Sequence, residues 1–191
     1  MIAPDTDTSA ATTTETLLDV ATEAITLLRL ADETVGVAES LTAGGVMAAI
    51  TNVPGASSAF RGGVVSYATE LKQSLLNVDP ALIQREGVIH GDVAAQMAEG
   101  ARTVTSFPDS KPTTWGIGTT GVAGPAMQDG KPVGMVFIGI ASVGQETCAW
   151  GPFMFPGDRE AIRQATVKTA LGLLRDQLKV RLEDGERKNV N

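Results

Sequence analysis

The sequence predicts an α/β fold, a single three-layer α/β/α domain with a mixed sheet. Segments with the apolar spacing of helices alternate with short β-branched segments, which is typical of a sheet covered by helices on both faces. Two strand-like segments follow each other directly at residues 134–155, so part of the sheet is expected to be antiparallel. The chain has 191 residues and no internal repeat or linker that would divide it into two domains.

Six elements are predicted in the first half of the chain. Apolar residues at helical spacing indicate its helices, and short β-branched segments indicate its strands. In chain order they are a helix at 15–30 with Thr14 as its N-cap, a strand at 34–38, a helix at 42–50, a strand at 61–67, and helices at 70–76 and 79–85. A turn with Pro and Gly at 52–55 ends the second helix.

Five further elements complete the predicted domain, which covers residues 15–182. They are a helix at 92–105, a strand at 113–119, strands at 134–143 and 147–155 joined across Gly144 and Gln145, and a helix at 159–182 with Asp158 as its N-cap. Residues 1–14 are rich in Thr, Ser and Asp and are predicted to be a disordered arm. Residues 183–191 are predicted to be a charged tail.

Composition narrows the class of protein. Hydrophobic residues make up 43% of the chain and aromatic residues only 4%, so the core must consist mainly of aliphatic side chains. With one cysteine, no secretory signal pattern and no run of about 20 apolar residues, we expect a cytoplasmic protein without a membrane segment. The net charge of −7 and the lack of a basic stripe argue against a nucleic-acid partner.

A predicted strand-to-helix turn at residues 38–45 is the first candidate site. Ser40 lies at this turn, where unpaired N–H groups and a partial positive charge favour an alkoxide or a phosphate. The alternative is that Ser40 or Thr42 simply caps the helix, and the pattern alone favours that alternative. Two adjacent glycines, Gly44 and Gly45, cost the helix about 1 kcal/mol each relative to Ala, which favours a functional reason for them.

A second loop at residues 119–125 also follows a predicted strand. Ligands of open α/β sheets bind at the carboxyl ends of strands, so this loop and the Ser40 turn could face one cleft. Arg159, in the first turn of the last predicted helix, is either a surface residue or a phosphate contact. Its position alone favours the surface.

Few residues could activate Ser40. The one histidine, His90, precedes a predicted helix and is better explained as an exposed residue at the start of that helix than as part of a triad. Lys72 is the alternative base, because a buried lysine can lose its proton, although its spacing alone favours a solvated helix residue near Glu70. Tyr67, the one tyrosine, could orient or relay a proton. One histidine and one cysteine cannot form a zinc site.

Five segments together resemble the CinA C-terminal domain family, which includes the nicotinamide-mononucleotide amidases (PncC type). They are VAESLTAG (37–44), FRGGVVSYATELK (60–72), GTTGVAGP (118–125), QDGKPVG (128–134) and FPGDREAIR (155–163). The resemblance spans residues 17–178. It implies the deamidation of nicotinamide mononucleotide to nicotinate mononucleotide and ammonia, with no metal or organic cofactor.

The resemblance also implies roles for individual residues. Ser40 falls on the family's nucleophile, Tyr67 and Lys72 fall on the residues that assist it, and Thr120 and Gly121 fall on the loop that shapes the substrate site. Five further residues are expected to contact the substrate: Glu39, Thr42, Ala43, Gly44 and Arg159. Backbone N–H groups of the turn at 42–44 or of the loop at 120–121 are expected to hold the oxyanion. Self-association into a homo-oligomer is expected as well.

The chain departs from many relatives in three respects. It has Thr42-Ala43-Gly44 where many have Thr-Gly-Gly, and Ala126-Met127-Gln128 where some have a glycine-rich stretch. It is also too short to hold the large N-terminal domain that some relatives carry, so only the amidase-like unit is expected. Two alternative functions remain open, namely a non-catalytic module that binds a nucleotide or a partner, and an amidase acting on a related amide.

Overall fold

Eleven regular helices and strands form the part of the chain that the structure, a computed structural model, describes, residues 15–189. The helices are α1 (Leu17–Leu30), α2 (Gly45–Thr51), α3 (Thr69–Leu76), α4 (Pro80–Glu86), α5 (Gly91–Val104) and α6 (Arg159–Asn189). The strands are β1 (Val35–Glu39), β2 (Phe60–Val65), β3 (Trp115–Gly121), β4 (Met135–Ser142) and β5 (Cys148–Met154). A short 3₁₀ turn at residues 56–58 precedes β2.

The five strands form one mixed sheet in the order β2-β1-β3-β4-β5. Strand β1 is parallel to both β2 and β3, while β3, β4 and β5 run antiparallel to one another. The mixed sheet and the hairpin between β4 and β5 confirm the prediction. In the parallel part Glu39 pairs with Val65 on one side and with Thr119 on the other, so the carboxyl ends of these three strands meet at one edge.

Helices cover both faces of the sheet, which confirms the three-layer architecture. Helices α1, α2 and α6 form the larger hydrophobic core with one face of the sheet. Helices α3 and α5 pack against the other face, where Ala38 of β1 belongs to a second, smaller hydrophobic cluster. Helix α5 approaches the sheet so closely that a Cβ atom on Gly118 would lie 2.3 Å from the carbonyl oxygen of Ala94. Glycine at this position therefore permits the close packing of backbone on backbone.

Three predicted helix ends were wrong, and the strands are shifted from their predicted bounds by up to two residues. Thr14 lies outside the described residues, and the N-cap of α1 is Thr16, whose side chain forms a capping box with Asp19. The predicted helix at 42–50 begins only at Gly45, because residues 41–44 form a turn. The charged segment after 182 continues α6 to Asn189, supported by ion pairs of Arg187 one helical turn apart. The predicted arm at 1–14 lies outside the described residues.

No helix within residues 15–189 is long and apolar enough to cross a membrane.

Candidate active site

A small polar cavity opens at the carboxyl edge of the parallel strands. Ser40 follows β1 directly, and its N–H group donates to the carbonyl of Thr119 in β3 at 3.1 Å. The cavity has a volume of about 120 Å³. Its lining consists of Ser40, Leu41, Tyr67, Thr69, Lys72, Val88, Ile89, Thr120, Gly121, Val122, Ala123, Gly124, Ala126, Gln128 and Arg159. The Ser40 turn and the loop at 119–125, which were predicted to follow separate strands, thus line one cavity.

Lys72 reaches Ser40 from the neighbouring helix α3. Its Nζ atom lies 3.1 Å from Ser40 Oγ and donates at 2.6 Å to the carbonyl of Ser66, the residue after β2. The side chain is 1% exposed, so the alternative of a solvated lysine is wrong. Burial lowers the Lys72 pKa from 10.5 to about 8, against a smaller opposing effect of the Glu70 carboxylate. A substantial fraction of Lys72 is therefore neutral near physiological pH and able to accept a proton.

Glu39 supplies the N-terminal cap of α2. Its carboxylate accepts hydrogen bonds from the N–H groups of Gly44, Val46 and Met47 at 2.8, 3.2 and 2.9 Å. Glu39 is fully buried and absent from the cavity lining, so the expectation that it contacts the substrate is not met. Neither Ser40 nor Thr42 caps this helix, which leaves the Ser40 hydroxyl free for Lys72.

The turn after Ser40 differs from the expected oxyanion site. Thr42, Ala43 and Gly44 do not line the cavity. The N–H group of Ala43 donates to the Ser40 carbonyl, that of Gly44 is taken by Glu39, and the Thr42 hydroxyl pairs with that of Thr119. Ala43 and Gly44 are therefore unsuited as oxyanion donors. Within residues 15–189, the backbone N–H groups of Leu41 and Thr42 have no acceptor.

Tyr67 and Arg159 form the rim of the cavity. The Arg159 guanidinium donates to the Tyr67 hydroxyl at 2.8 Å and to the carbonyl of Gly124 at 2.7 Å. Tyr67 forms no hydrogen bond with Ser40 or Lys72 among the described residues, and its hydroxyl accepts from Arg159 instead, so the suggested proton relay has no direct contact behind it and stays a prediction. Arg159 is exposed, which confirms the surface position that its place in the sequence favours, and it also lines the cavity.

Thr120 and Gly121 lie on the cavity as expected. The Thr120 hydroxyl donates to the carbonyl of Val88 at 2.7 Å, which ties β3 to the segment before α5. Sequence reasoning missed that segment, since Val88 and Ile89 carry no polar signal. It also gave no site role to Leu41 or to Gln128, although both lie in segments that carried the family resemblance.

The one histidine of the chain lies apart from the cavity. His90 is not part of the lining, and its Nδ1 atom accepts from the N–H group of Asp92 at 3.2 Å as the cap of α5, which confirms its predicted place at the start of that helix. Its side chain is half-buried, whereas an exposed residue was predicted. Among the residues that the structure describes, no three His, Cys, Asp or Glu side chains are grouped as metal ligands would be.

Comparison with known proteins identifies relatives over nearly all of the described chain. The sequence model of the "CinA C-terminal domain" matches residues 17–178. A CinA-like protein of Frankia casuarinae is 47% identical over 145 residues, covering 76% of this chain and 32% of the relative. A CinA-like protein of Thermosynechococcus vestitus is 43% identical over 157 residues, covering 81% of this chain and 36% of the relative. The chain thus spans about a third of the length of these curated relatives.

Solved structures share the fold. The competence/damage inducible protein CihA of Agrobacterium tumefaciens superposes with a TM-score of 0.76 at 29% identity, covering 85% of this chain and 95% of that one. A CinA superfamily protein of Klebsiella pneumoniae superposes with a TM-score of 0.77 at 25% identity, covering 86% of this chain and 98% of that one.

Proposed function

The chain belongs to the CinA C-terminal domain family, and from this premise we propose that it is an amidohydrolase that converts nicotinamide mononucleotide to nicotinate mononucleotide and ammonia. The observation that carries the proposal is the contact of 3.1 Å between Ser40 Oγ and Lys72 Nζ. A serine beside a buried amine of lowered pKa is the arrangement that a serine nucleophile with a lysine base requires.

The proposed reaction begins with proton transfer. Neutral Lys72 takes the proton of the Ser40 hydroxyl, and Ser40 Oγ forms a bond to the carboxamide carbon. Lys72 then gives this proton to the carboxamide nitrogen as the C–N bond breaks, so that ammonia leaves and an ester on Ser40 remains. A water molecule, losing a proton to Lys72, attacks the ester and releases the carboxylic acid, and Ser40 regains its proton.

The negative oxygen of each tetrahedral intermediate needs hydrogen-bond donors. The N–H group of Leu41 is the best candidate, since Leu41 lines the cavity, follows the nucleophile directly and has no acceptor for this group within residues 15–189. In other hydrolases the N–H group of the residue after the nucleophile has this role. Losing one such donor typically lowers kcat by about 10²–10³-fold.

The rim of the cavity suits the phosphate of a nucleotide. Arg159 provides a permanent positive charge there, and its contacts with Tyr67 and Gly124 hold the guanidinium in place. We assign Arg159 and the Tyr67 hydroxyl to the phosphate end of the substrate and Ser40 with Lys72 to the carboxamide end.

A direct assay tests the proposed function. Purified protein is incubated with nicotinamide mononucleotide, and ammonia and nicotinate mononucleotide are quantified in parallel. Equal amounts of both products support the proposal. Calorimetric binding without product would support a non-catalytic nucleotide-binding module instead, and turnover restricted to other pyridine carboxamides in a substrate panel would support a related amidase.

We predict that kcat/KM rises with pH with a midpoint near 8, the pKa of Lys72. The neutral amine is the active form, so a change from pH 6.5 to 7.5 should raise kcat/KM about eightfold and the rise should level off above the midpoint. The exposed Glu70 carboxylate raises the Lys72 pKa, so Glu70→Gln should lower the midpoint by a fraction of a pH unit. Profiles are best fitted above about pH 6.5, because the substrate phosphate titrates near pH 6. A profile that falls between pH 7 and 9 would contradict the role of Lys72.

We predict that Arg159→Met weakens the binding of phosphorylated substrate selectively. The KM for nicotinamide mononucleotide should rise about 10–100-fold, because a charge-assisted contact is worth about 1.5–3 kcal/mol, while kcat changes little. Nicotinamide riboside, which lacks the phosphate, serves as the matched substrate, and its kcat/KM should be nearly the same in both proteins. Equal losses for the two substrates would assign Arg159 a structural role.

A further inference from the structure

We propose that Ser66 is a positioning residue whose hydroxyl accepts the third N–H group of Lys72 while Lys72 carries the proton of the reaction. The inference rests on the proposed function, in which Lys72 is the base, and adds a residue that lies outside the cavity lining. Ser66 acts through Lys72 alone.

Ser66 carries a buried hydroxyl without a partner. The residue is 0% exposed, and among the side chains that the structure describes its Oγ atom is the one buried nitrogen or oxygen without a hydrogen bond. Its backbone is fully paired, because the N–H group donates to the Glu39 carbonyl at 2.9 Å and the carbonyl accepts from Lys72 Nζ at 2.6 Å. Buried polar atoms without a partner are rare in folded proteins, so this hydroxyl calls for an explanation.

Lys72 has the complementary need for an acceptor. An ammonium group has three N–H donors, and the bonds to the Ser66 carbonyl and to Ser40 Oγ use two of them. The third has no acceptor within residues 15–189. Lys72 lines the cavity but is only 1% exposed, so water reaches very little of it. A donor and an acceptor without partners therefore belong to two residues that are already in contact.

The place of Ser66 in the sheet puts its side chain on the same side as Lys72. The bond from its N–H group to the Glu39 carbonyl continues the pairing of β2 with β1 for one residue past Val65. Side chains alternate along a strand, and Val64, two residues earlier, packs against the smaller hydrophobic cluster of α3 and α5. Ser66 therefore faces α3, the helix that carries Lys72. Rotation about its single Cα–Cβ bond moves the hydroxyl among three staggered positions on that side.

The contact contributes most after proton transfer. When Lys72 takes the proton of Ser40, it becomes a positive charge that is almost completely buried, and a hydrogen bond from the charged form is about twice as strong as one from the neutral amine. The proton then passes to the carboxamide nitrogen, so the ammonium group has to keep its direction. The carbonyl and the hydroxyl of Ser66 hold two of its N–H groups and leave the remaining one for Ser40 and the departing nitrogen.

Loss of the Ser66 hydroxyl should lower the pKa of Lys72, because a bond that favours the charged form is removed. Glu70, on the same helix, is the charged side chain that acts on the Lys72 pKa, and it raises it. The other charged or titratable groups around Lys72 lie across the cavity, bind the start of α2 or belong to α5, which packs against α3: Tyr67, Arg159, Glu39, Asp92, Glu99 and Arg102. A change at Ser66 leaves all of these charges in place.

The first experiment titrates Lys72 in the protein without substrate. Lysines are labelled with 13C at Cε and followed by NMR across the titration, and the Lys72 signal is identified by its loss in Lys72→Met. The midpoint should fall by about 0.5–1 pH unit in Ser66→Ala and nearly as far in Ser66→Cys, because a thiol is a weak acceptor. Ser74→Ala, at an exposed position of the same helix, is the matched control and should shift the midpoint by less than about 0.2 unit.

The second experiment measures turnover of nicotinamide mononucleotide by the same proteins. On the high-pH plateau, kcat of Ser66→Ala should fall about tenfold while KM changes less than about threefold, because the bond to the charged amine forms only after proton transfer. The midpoint of kcat/KM should fall by the same amount as the NMR midpoint. Ser66→Thr keeps the hydroxyl and should restore both the midpoint and kcat.

The two readouts separate this inference from the proposed function. If wild type does not turn over nicotinamide mononucleotide and the NMR midpoint of Ser66→Ala still falls, the proposed function fails and the contact of Ser66 with Lys72 stands. The midpoint is read from the signals of folded protein, so a loss of stability does not imitate the effect. An unchanged or raised midpoint in both Ser66→Ala and Ser66→Cys would overturn the inference, whatever happens to kcat.

Discussion

Ser40→Ala is expected to lower kcat/KM for nicotinamide mononucleotide by roughly 10⁴-fold or more, because the variant lacks the atom that forms the bond to the carboxamide carbon. The hydroxyl lies 3.1 Å from Lys72 Nζ and on the cavity. Ser58→Ala is the matched control, since Ser58 is exposed and its hydroxyl bonds only the nearby Gly55 carbonyl. Ammonia release by Ser40→Ala at a near-normal rate would refute the assignment.

The stability of the same variant separates the nucleophile from a helix cap. Removing a capping serine costs about 1 kcal/mol. Since the Glu39 carboxylate caps α2 and the Ser40 hydroxyl bonds Lys72 instead, the loss of Ser40 should change the free energy of unfolding by less than this amount. Denaturant titration of Ser40→Ala beside wild type measures the difference.

Lys72→Met is expected to abolish turnover and to stabilise the fold at pH 7. The base is lost, so kcat/KM should fall by roughly 10⁴-fold, comparable to the loss of the nucleophile. At the same time an almost completely buried amine is replaced by an apolar side chain of similar length. The variant also loses the hydrogen bond to the Ser66 carbonyl, which reduces its gain in the free energy of unfolding by about 1 kcal/mol.

The stability gain of Lys72→Met should depend on pH in a defined direction. In the folded state the Lys72 pKa is about 8, and in the unfolded chain it returns to 10.5. Between these values the unfolded state binds more protons, so the stability of wild type rises with pH there, and below pH 8 the full penalty of about 3 kcal/mol applies. Lys72→Met should therefore exceed wild type by about 1–2 kcal/mol at pH 7, and the advantage should vanish between about pH 9 and 10 and reverse above that. A constant or growing advantage would contradict the lowered pKa.

Much of the fold could be predicted from local sequence pattern. Alternating helical and β-branched segments indicated the layers, and the adjacent strands after residue 134 indicated the hairpin. The ends of helices were harder to predict, because they depend on contacts with residues outside the helical segment. The extension of α6 beyond Leu182 is an example, since residues there have no apolar periodicity, and the helix end is tied to the sheet through Arg181, which contacts both Glu33 and the Trp115 ring.

The residues of the candidate site could be named from the sequence, whereas most of the contacts between them could not. Ser40 and Lys72 are 32 positions apart, and no pattern rule shows that they meet, so the family resemblance had to pair them. The role of Glu39 could not be predicted from its position either. A glutamate before a turn has the same sequence pattern whether its carboxylate contacts a ligand or caps the following helix. The contact of Arg159 with Tyr67 joins residues 92 positions apart and is fixed by the tertiary fold.

The most direct test of Ser40 as nucleophile is mass spectrometry of the protein during turnover. Wild type is mixed with nicotinamide mononucleotide, quenched in acid within the first turnover and digested with trypsin, and the peptide of residues 30–61, which contains Ser40, is weighed. The account predicts that this peptide gains the mass of the nicotinate mononucleotide acyl group, that fragmentation places it on Ser40, and that Ser40→Ala shows no gain. Product release at the wild-type rate with the acyl group on another residue, or from Ser40→Ala, would contradict it.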